Sequence, residues 1–117
     1  MKRILLVDDD EDLLELYRET LKEEGFSVDT ATNGREAVEK VKEKEYDLVV
    51  LDIRMPEMDG IEALGYILGE RKDIKVVLNT AYASYKDNFL TWGADAYILK
   101  SSDLSELVAA IKKLLCL

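Results

Sequence analysis

Apolar residues along this chain fall into two alternating kinds of run. Unbroken stretches at 4–7 (ILLV) and 48–51 (LVVL) predict buried strands, and 74–78 (IKVVL) predicts another. The half-alternating segment 26–31 (FSVDTA) and the short run 96–99 give two more. Between them the period changes to that of a helix. Leu13, Leu16, Tyr17 and Leu21 share one helical face, and Gly25 stops that helix. Asn33 with Glu36 gives an N-cap signal before Ala37, Val38 and Val41. Asp59 and Gly60 with Glu62 open a third helix bearing Ile61, Leu64, Ile67 and Leu68. A short fourth helix is expected over 84–92, ending at Gly93. Asp103 with Glu106 caps the last, whose face is Leu104, Leu107, Val108, Ile111, Leu114 and Leu115.

Strand and helix thus alternate five times, which implies an α/β fold with helices on both faces of a parallel sheet. Fully apolar strands such as LVVL agree, because such strands are covered on both sides. No linker, repeat array or low-complexity segment interrupts the pattern. Residues 1–117 read as one domain, of the size that builds its own core.

Composition narrows the chemistry. The chain has 25 acids against 16 Lys and Arg, a net charge of -9, and no histidine. Histidine-based acid–base catalysis, Ser-His-Asp sites and His-ligated zinc are therefore excluded. The single Cys116 forms no intramolecular disulfide and no thiolate cluster. An acidic chain is a poor partner for nucleic acid or an anionic membrane. Met1, Lys2 and Arg3 are followed by only Ile4, Leu5, Leu6 and Val7 before the acids begin, too short a run for a signal peptide. The expected location is the cytoplasm.

In open parallel sheets, ligands bind beyond the carboxyl ends of the strands, where strand order reverses. Asp8, Asp9 and Asp10 follow the first strand, and Thr32 and Asn33 the second. Asp52 closes the third, Asn79 and Thr80 the fourth, and Lys100 the fifth. A charge after any one buried strand is ordinarily the chain returning to water; their joint presence on one rim is the informative pattern. Asp10, Glu11 and Asp12 suit a first helical turn, where acids complement the dipole. Asp8 and Asp9 crowd at a strand end, an arrangement relieved by a hard cation with oxygen ligands such as Mg²⁺. Asp8, Asp10, Asp12 and Glu19 also match four positions of an EF-hand loop, but Leu13 stands where the turn glycine is required.

VDDD at 7–10, LDIRMPEMDG at 51–60, NTAY at 79–82 and ADAYILK at 94–100 resemble a response regulator receiver domain of two-component signalling. The resemblance spans essentially the whole chain, with the motifs in order. It implies the flavodoxin-like (βα)5 fold with sheet order 2-1-3-4-5. It implies that Asp52 accepts a phosphoryl group from a phosphohistidine on a sensor histidine kinase or phosphotransfer protein. Asp8, Asp9 and Asp52, with the backbone carbonyl of Arg54, would hold Mg²⁺ (or Mn²⁺). Thr80 and Lys100 would contact the phosphoryl group, and Tyr97 would change rotamer with Thr80. Such a domain switches rather than turns over, and its downstream protein is not named by the sequence.

A carboxylate is a competent nucleophile for phosphoryl transfer, ionised at neutral pH without a base. Two rivals share these residues. A Mg²⁺-dependent aspartate-nucleophile phosphatase ordinarily carries a second acid two residues after the nucleophile, where this chain has Arg54. A pseudo-receiver would have lost the acids, and none is lost. Ser101 stands where the family has proline after the lysine, so a trans bond with a rearranged loop, or a strained cis bond, is expected there. The stretch from Thr80 to Gly93 is short for the family, which predicts a short or irregular fourth helix. The family's output face is the fourth helix, fifth strand and last helix. Arg54 and Tyr82, each two residues past a site residue, are expected to overhang Asp52 and slow hydrolysis of its phosphorylated form. Tyr85, Phe89 and Trp92 have helical spacing and suit packing on the sheet, or a partner-binding patch. The last helix reaches the end of the chain, which reads as a stand-alone receiver.

Overall fold

The computed structural model describes residues 1–85, 92–101 and 103–117. Five strands, β1 (Arg3–Val7), β2 (Ser27–Ala31), β3 (Leu48–Leu51), β4 (Lys75–Thr80) and β5 (Ala96–Leu99), form one sheet in the order β2-β1-β3-β4-β5. All four pairings are parallel. The helices are α1 (Glu11–Glu23), α2 (Gly34–Glu43), α3 (Gly60–Glu70) and α4 (Ser105–Leu114), with a 3₁₀ turn at Ala83–Tyr85. This is the expected flavodoxin-like fold.

The two-residue period of the strands divides the core. Leu5, Val7, Val49, Leu51, Val76 and Leu78 point to one side and meet Ala37, Val38 and Val41 of α2 and Ala63, Leu64 and Ile67 of α3. Ile4, Leu6, Leu48, Val50, Val77 and Ile98 point to the other and meet Leu14, Tyr17 and Leu21 of α1 and Leu107 and Ile111 of α4. Crossovers of constant hand explain this split: the chain steps one way from β1 to β2 and the other way from β2 to β3. The step reverses between β1 and β3, and a crevice opens beyond their carboxyl ends.

Three local expectations are corrected. Leu16, assigned to the buried face of the first helix, is 49% exposed, and Leu14 takes its place in the core. Phe26 lies just outside β2, though it is buried. The residue capping α4 is Leu104, not Asp103; Asp103 instead accepts the Ser105 amide at 2.9 Å from one residue further out. The fourth helix was expected over 84–92. Residues 86–91, Phe89 among them, lie outside the described residues, as does the side chain of Tyr85. Trp92 packs partly buried against the cluster beneath α2 and α3. The Lys100–Ser101 bond is trans.

Candidate functional site

The strand ends deliver the site residues. Asp8 follows β1 directly and is buried. Its Oδ1 accepts the Asp10 amide at 2.9 Å, which fixes the carboxylate against the start of α1. Asp10 is itself the N-cap: its Oδ1 accepts the amides of Asp12 at 3.1 Å and Leu13 at 3.2 Å. That commitment takes Asp10 out of the acidic cluster and leaves Asp8 and Asp9 to it. Asp52 follows β3, is buried, and its Oδ1 accepts the Ile53 amide at 2.8 Å.

Asp8, Asp9 and Asp52 each bring a carboxylate oxygen to within 4.8 Å of the other two. Two of these acids are buried and Asp9 is exposed, so the cluster opens to solvent on one side. The donor set is oxygen alone, which fits Mg²⁺ and not a thiolate- or imidazole-seeking metal. Three carboxylates this close repel one another unless a cation offsets them.

Lys100, after β5, supplies one such charge from within the chain. Its Nζ lies 2.7 Å from Asp8 Oδ2 and 3.0 Å from Asp52 Oδ2. Each buried carboxylate thus spends one oxygen on a backbone amide and the other on Lys100. Burial raises the Asp52 pKa above its ordinary value, and the Lys100 contact opposes that rise without cancelling it. Burial pulls the Lys100 pKa down, but the contacts to Asp8 and Asp52 outweigh it and hold the ammonium above its usual range.

Thr80 ends β4 fully buried, and its Oγ1 accepts the Tyr82 amide at 3.3 Å. The buried Tyr97 of β5 donates its hydroxyl to the Tyr82 carbonyl. The Arg54 guanidinium lies over the Tyr82 ring, 4.5 Å from its centroid, a cation–π geometry. Tyr82 therefore touches Arg54 with its ring and both Thr80 and Tyr97 with its backbone.

Gly60 shapes the loop that follows Asp52. Its amide donates to the Ile53 carbonyl at 2.7 Å, and a Cβ there would overlap the Asp52 carbonyl. Glycine is thus required where the chain turns back beneath the site. Little in the sequence signals a buried polar contact behind the site, in which Asn79 Nδ2 donates to the Tyr17 hydroxyl at 3.1 Å. The only signal for it was an asparagine inside an apolar strand.

The arrangement provides a buried carboxylate, neighbouring acids whose oxygens suit a hard cation, a lysine on two of the three, and a buried hydroxyl at the end of β4. Comparison with known proteins agrees. The profile of the response regulator receiver domain matches residues 4–112. The Thermotoga maritima response regulator TrrA, solved with Mg²⁺ and BeF, is 48% identical with a TM-score of 0.92, covering 97% of this chain and 99% of that one. TrrA in its complex with the histidine kinase ThkA is 49% identical with a TM-score of 0.90, covering 98% of this chain and 99% of that one. The transcriptional regulatory protein PrrA of Mycobacterium tuberculosis is 40% identical over 115 residues, covering 97% of this chain and 49% of PrrA. The chain spans about half the length of the first curated relatives it matches. Among the described residues, no helix is long and apolar enough to cross a membrane.

Proposed function

The chain belongs to the response regulator receiver family, and from that premise we propose that Asp52 is its phosphoacceptor. The observation that carries this reading is the convergence of Asp8, Asp9 and Asp52 within 4.8 Å, with Lys100 bonded to two of them. An Asp52 oxygen attacks the phosphorus of a phosphohistidine on a sensor histidine kinase or phosphotransfer protein. The P–O bond forms as the P–N bond breaks, and its electron pair passes to the imidazole nitrogen. Mg²⁺ (or Mn²⁺), held by Asp8, Asp9 and Asp52 with the Arg54 carbonyl, would supply positive charge against the transferring oxygens.

Lys100 turns from the carboxylates to a phosphoryl oxygen, and the Thr80 hydroxyl donates to another. Thr80 then leaves the Tyr82 amide, and Tyr97, bonded to the same residue, responds. Arg54 and Tyr82 screen the acyl phosphate from water. Each chain accepts one phosphoryl group and changes state, acting as a switch rather than a turnover enzyme, in the cytoplasm. The complex of TrrA with ThkA supports a kinase as the donor's source. The downstream partner is a protein that distinguishes the two states.

Phosphoramidate, a small donor with the same P–N bond, tests this reading. With Mg²⁺ it should add one phosphoryl group to the chain, as read by intact mass, and EDTA should prevent the addition. No adduct with Mg²⁺ present would overturn the assignment.

A further inference from the structure

The two halves of the site hang from strands that do not touch. Asp8 and Asp9 follow β1, whereas Thr80 ends β4 and Lys100 follows β5. Between β1 and β4 lies β3. The Lys100 amide donates to the Thr80 carbonyl at 2.8 Å, so the depth of the β4 end sets both Thr80 and Lys100.

Behind this end lies the bond from Asn79 to the Tyr17 hydroxyl, 3.1 Å long. Both residues are only 3% exposed. Tyr17 belongs to the cluster between the sheet, α1 and α4, and Asn79, two residues after Val77, faces the same way. Burying an amide and a phenol among Leu14, Val77 and Ile98 costs free energy unless they satisfy each other. Two apolar side chains would fill the same space without that liability, but they could settle at several depths. A hydrogen bond has one distance and a narrow range of angles. It runs from α1, the helix that begins just after Asp8 and Asp9, to the residue preceding Thr80.

We propose that Tyr17 and Asn79 are positioning residues that hold the Thr80–Lys100 half of the site at a fixed depth against the Asp8–Asp9 half. The Lys100–Asp8 ion pair spans the same gap, at 2.7 Å, but it lies within the site and is given up when Lys100 turns to a phosphoryl oxygen. The Tyr17–Asn79 bond takes no part in the chemistry and persists through the cycle. Because the inference rests on the phosphoacceptor role of Asp52, it separates two ligands. The metal would take its ligands from the acids after β1 and β3 and the Arg54 carbonyl, none of them on β4 or β5. A bound phosphoryl group also needs Thr80 and Lys100.

The test compares the parent with Tyr17→Phe, Asn79→Val and the double variant. Urea unfolding reads stability, Mg²⁺ alone reads the metal site, and beryllofluoride at saturating Mg²⁺ reads the phosphoryl site. Each single change should lower the unfolding midpoint, and the double should recover most of it, since no buried polar group is then left unpaired. Beryllofluoride affinity should nonetheless fall about tenfold in the double, as misplaced site groups lose their ligand, while Mg²⁺ affinity, which Lys100 affects only through the acids they share, changes much less. A double variant that binds beryllofluoride as the parent does would overturn the inference, and so would an equal loss of affinity for both ligands. A parent that takes up no beryllofluoride would overturn the phosphoacceptor reading and this inference with it.

Discussion

The Lys100 ammonium lies 2.7 Å from the Asp8 carboxylate, although β5 and β1 are separated in the sheet by β4 and β3. The lysine is counter-ion to Asp8 as well as Asp52, and so draws on the same acids as a divalent cation. Replacing Lys100 with Met leaves two buried carboxylates without it. Stability without Mg²⁺ should fall by about 2 kcal/mol, the scale of a bond to a charged group. Added Mg²⁺ should restore more stability to the variant than it adds to the parent. Urea unfolding with and without MgCl₂ measures both; equal responses to Mg²⁺ would contradict the shared use of the acids.

Arg54 stacks on Tyr82 at 4.5 Å. If this stack screens the acyl phosphate from water, alanine at both positions should speed its hydrolysis about tenfold, which corresponds to roughly 1.4 kcal/mol of barrier. Tyr82→Ala alone should give much of that effect, because it removes the ring on which the guanidinium rests. The readout is the half-life of phosphorylated protein after the donor is removed. A half-life equal to the parent's would sink the screening role.

Two glycines in one helix should respond in opposite directions. A Cβ on Gly60 would overlap the Asp52 carbonyl, whereas one on Gly65 meets nothing within 4 Å. Gly60→Ala should cost about 2–3 kcal/mol by overpacking and displace Asp52, lowering its rate of phosphorylation. Gly65→Ala should add about 0.5–1 kcal/mol, since alanine is the better residue within a helix. Chemical denaturation of the two variants checks the sign of each.

Asp29 supplies a pH signature away from the site. The Tyr46 hydroxyl, 2.7 Å away, is the main cause of its lowered pKa; burial opposes this and Lys44 adds to it. A lowered folded-state pKa means stabilisation that is complete above the ordinary value of 3.8 and lost as pH falls through the lower folded value. The loss of stability in Tyr46→Phe should therefore be larger at neutral pH than near pH 3. Unfolding at both pH values tests this; a cost independent of pH would assign Tyr46 a packing role only.

The strands were legible because a parallel sheet covered on both faces demands unbroken apolar runs, and Asp8, Asp52 and Thr80 stood out as polar residues closing them. Their roles came from the family resemblance, not from the periodicity. The face of α1 was less determined: Leu13, Leu14, Leu16 and Tyr17 crowd one turn and a half, and several stripes fit. Docking on the sheet selects Leu14, Tyr17 and Leu21 and leaves Leu16 exposed. Contacts between residues far apart in the sequence were not legible. Lys100 with Asp8, Tyr97 with Tyr82, and Asn79 with Tyr17 depend on strand register and on which helix covers which face. The cap of α4 was misplaced by one residue: Leu104, packed partly buried on the core, takes the cap position, and Asp103 accepts the Ser105 amide from outside it.

The central claim is that Asp52 carries the phosphoryl group. Its most direct test is to phosphorylate the chain with a small donor and Mg²⁺, reduce the acyl phosphate with borohydride, which converts a phosphorylated aspartate to homoserine, and map the modified peptide. The account predicts homoserine at position 52 and none at 8 or 9, with no conversion in Asp52→Asn. Conversion at Asp8 or Asp9, or modification that survives in Asp52→Asn, would contradict it.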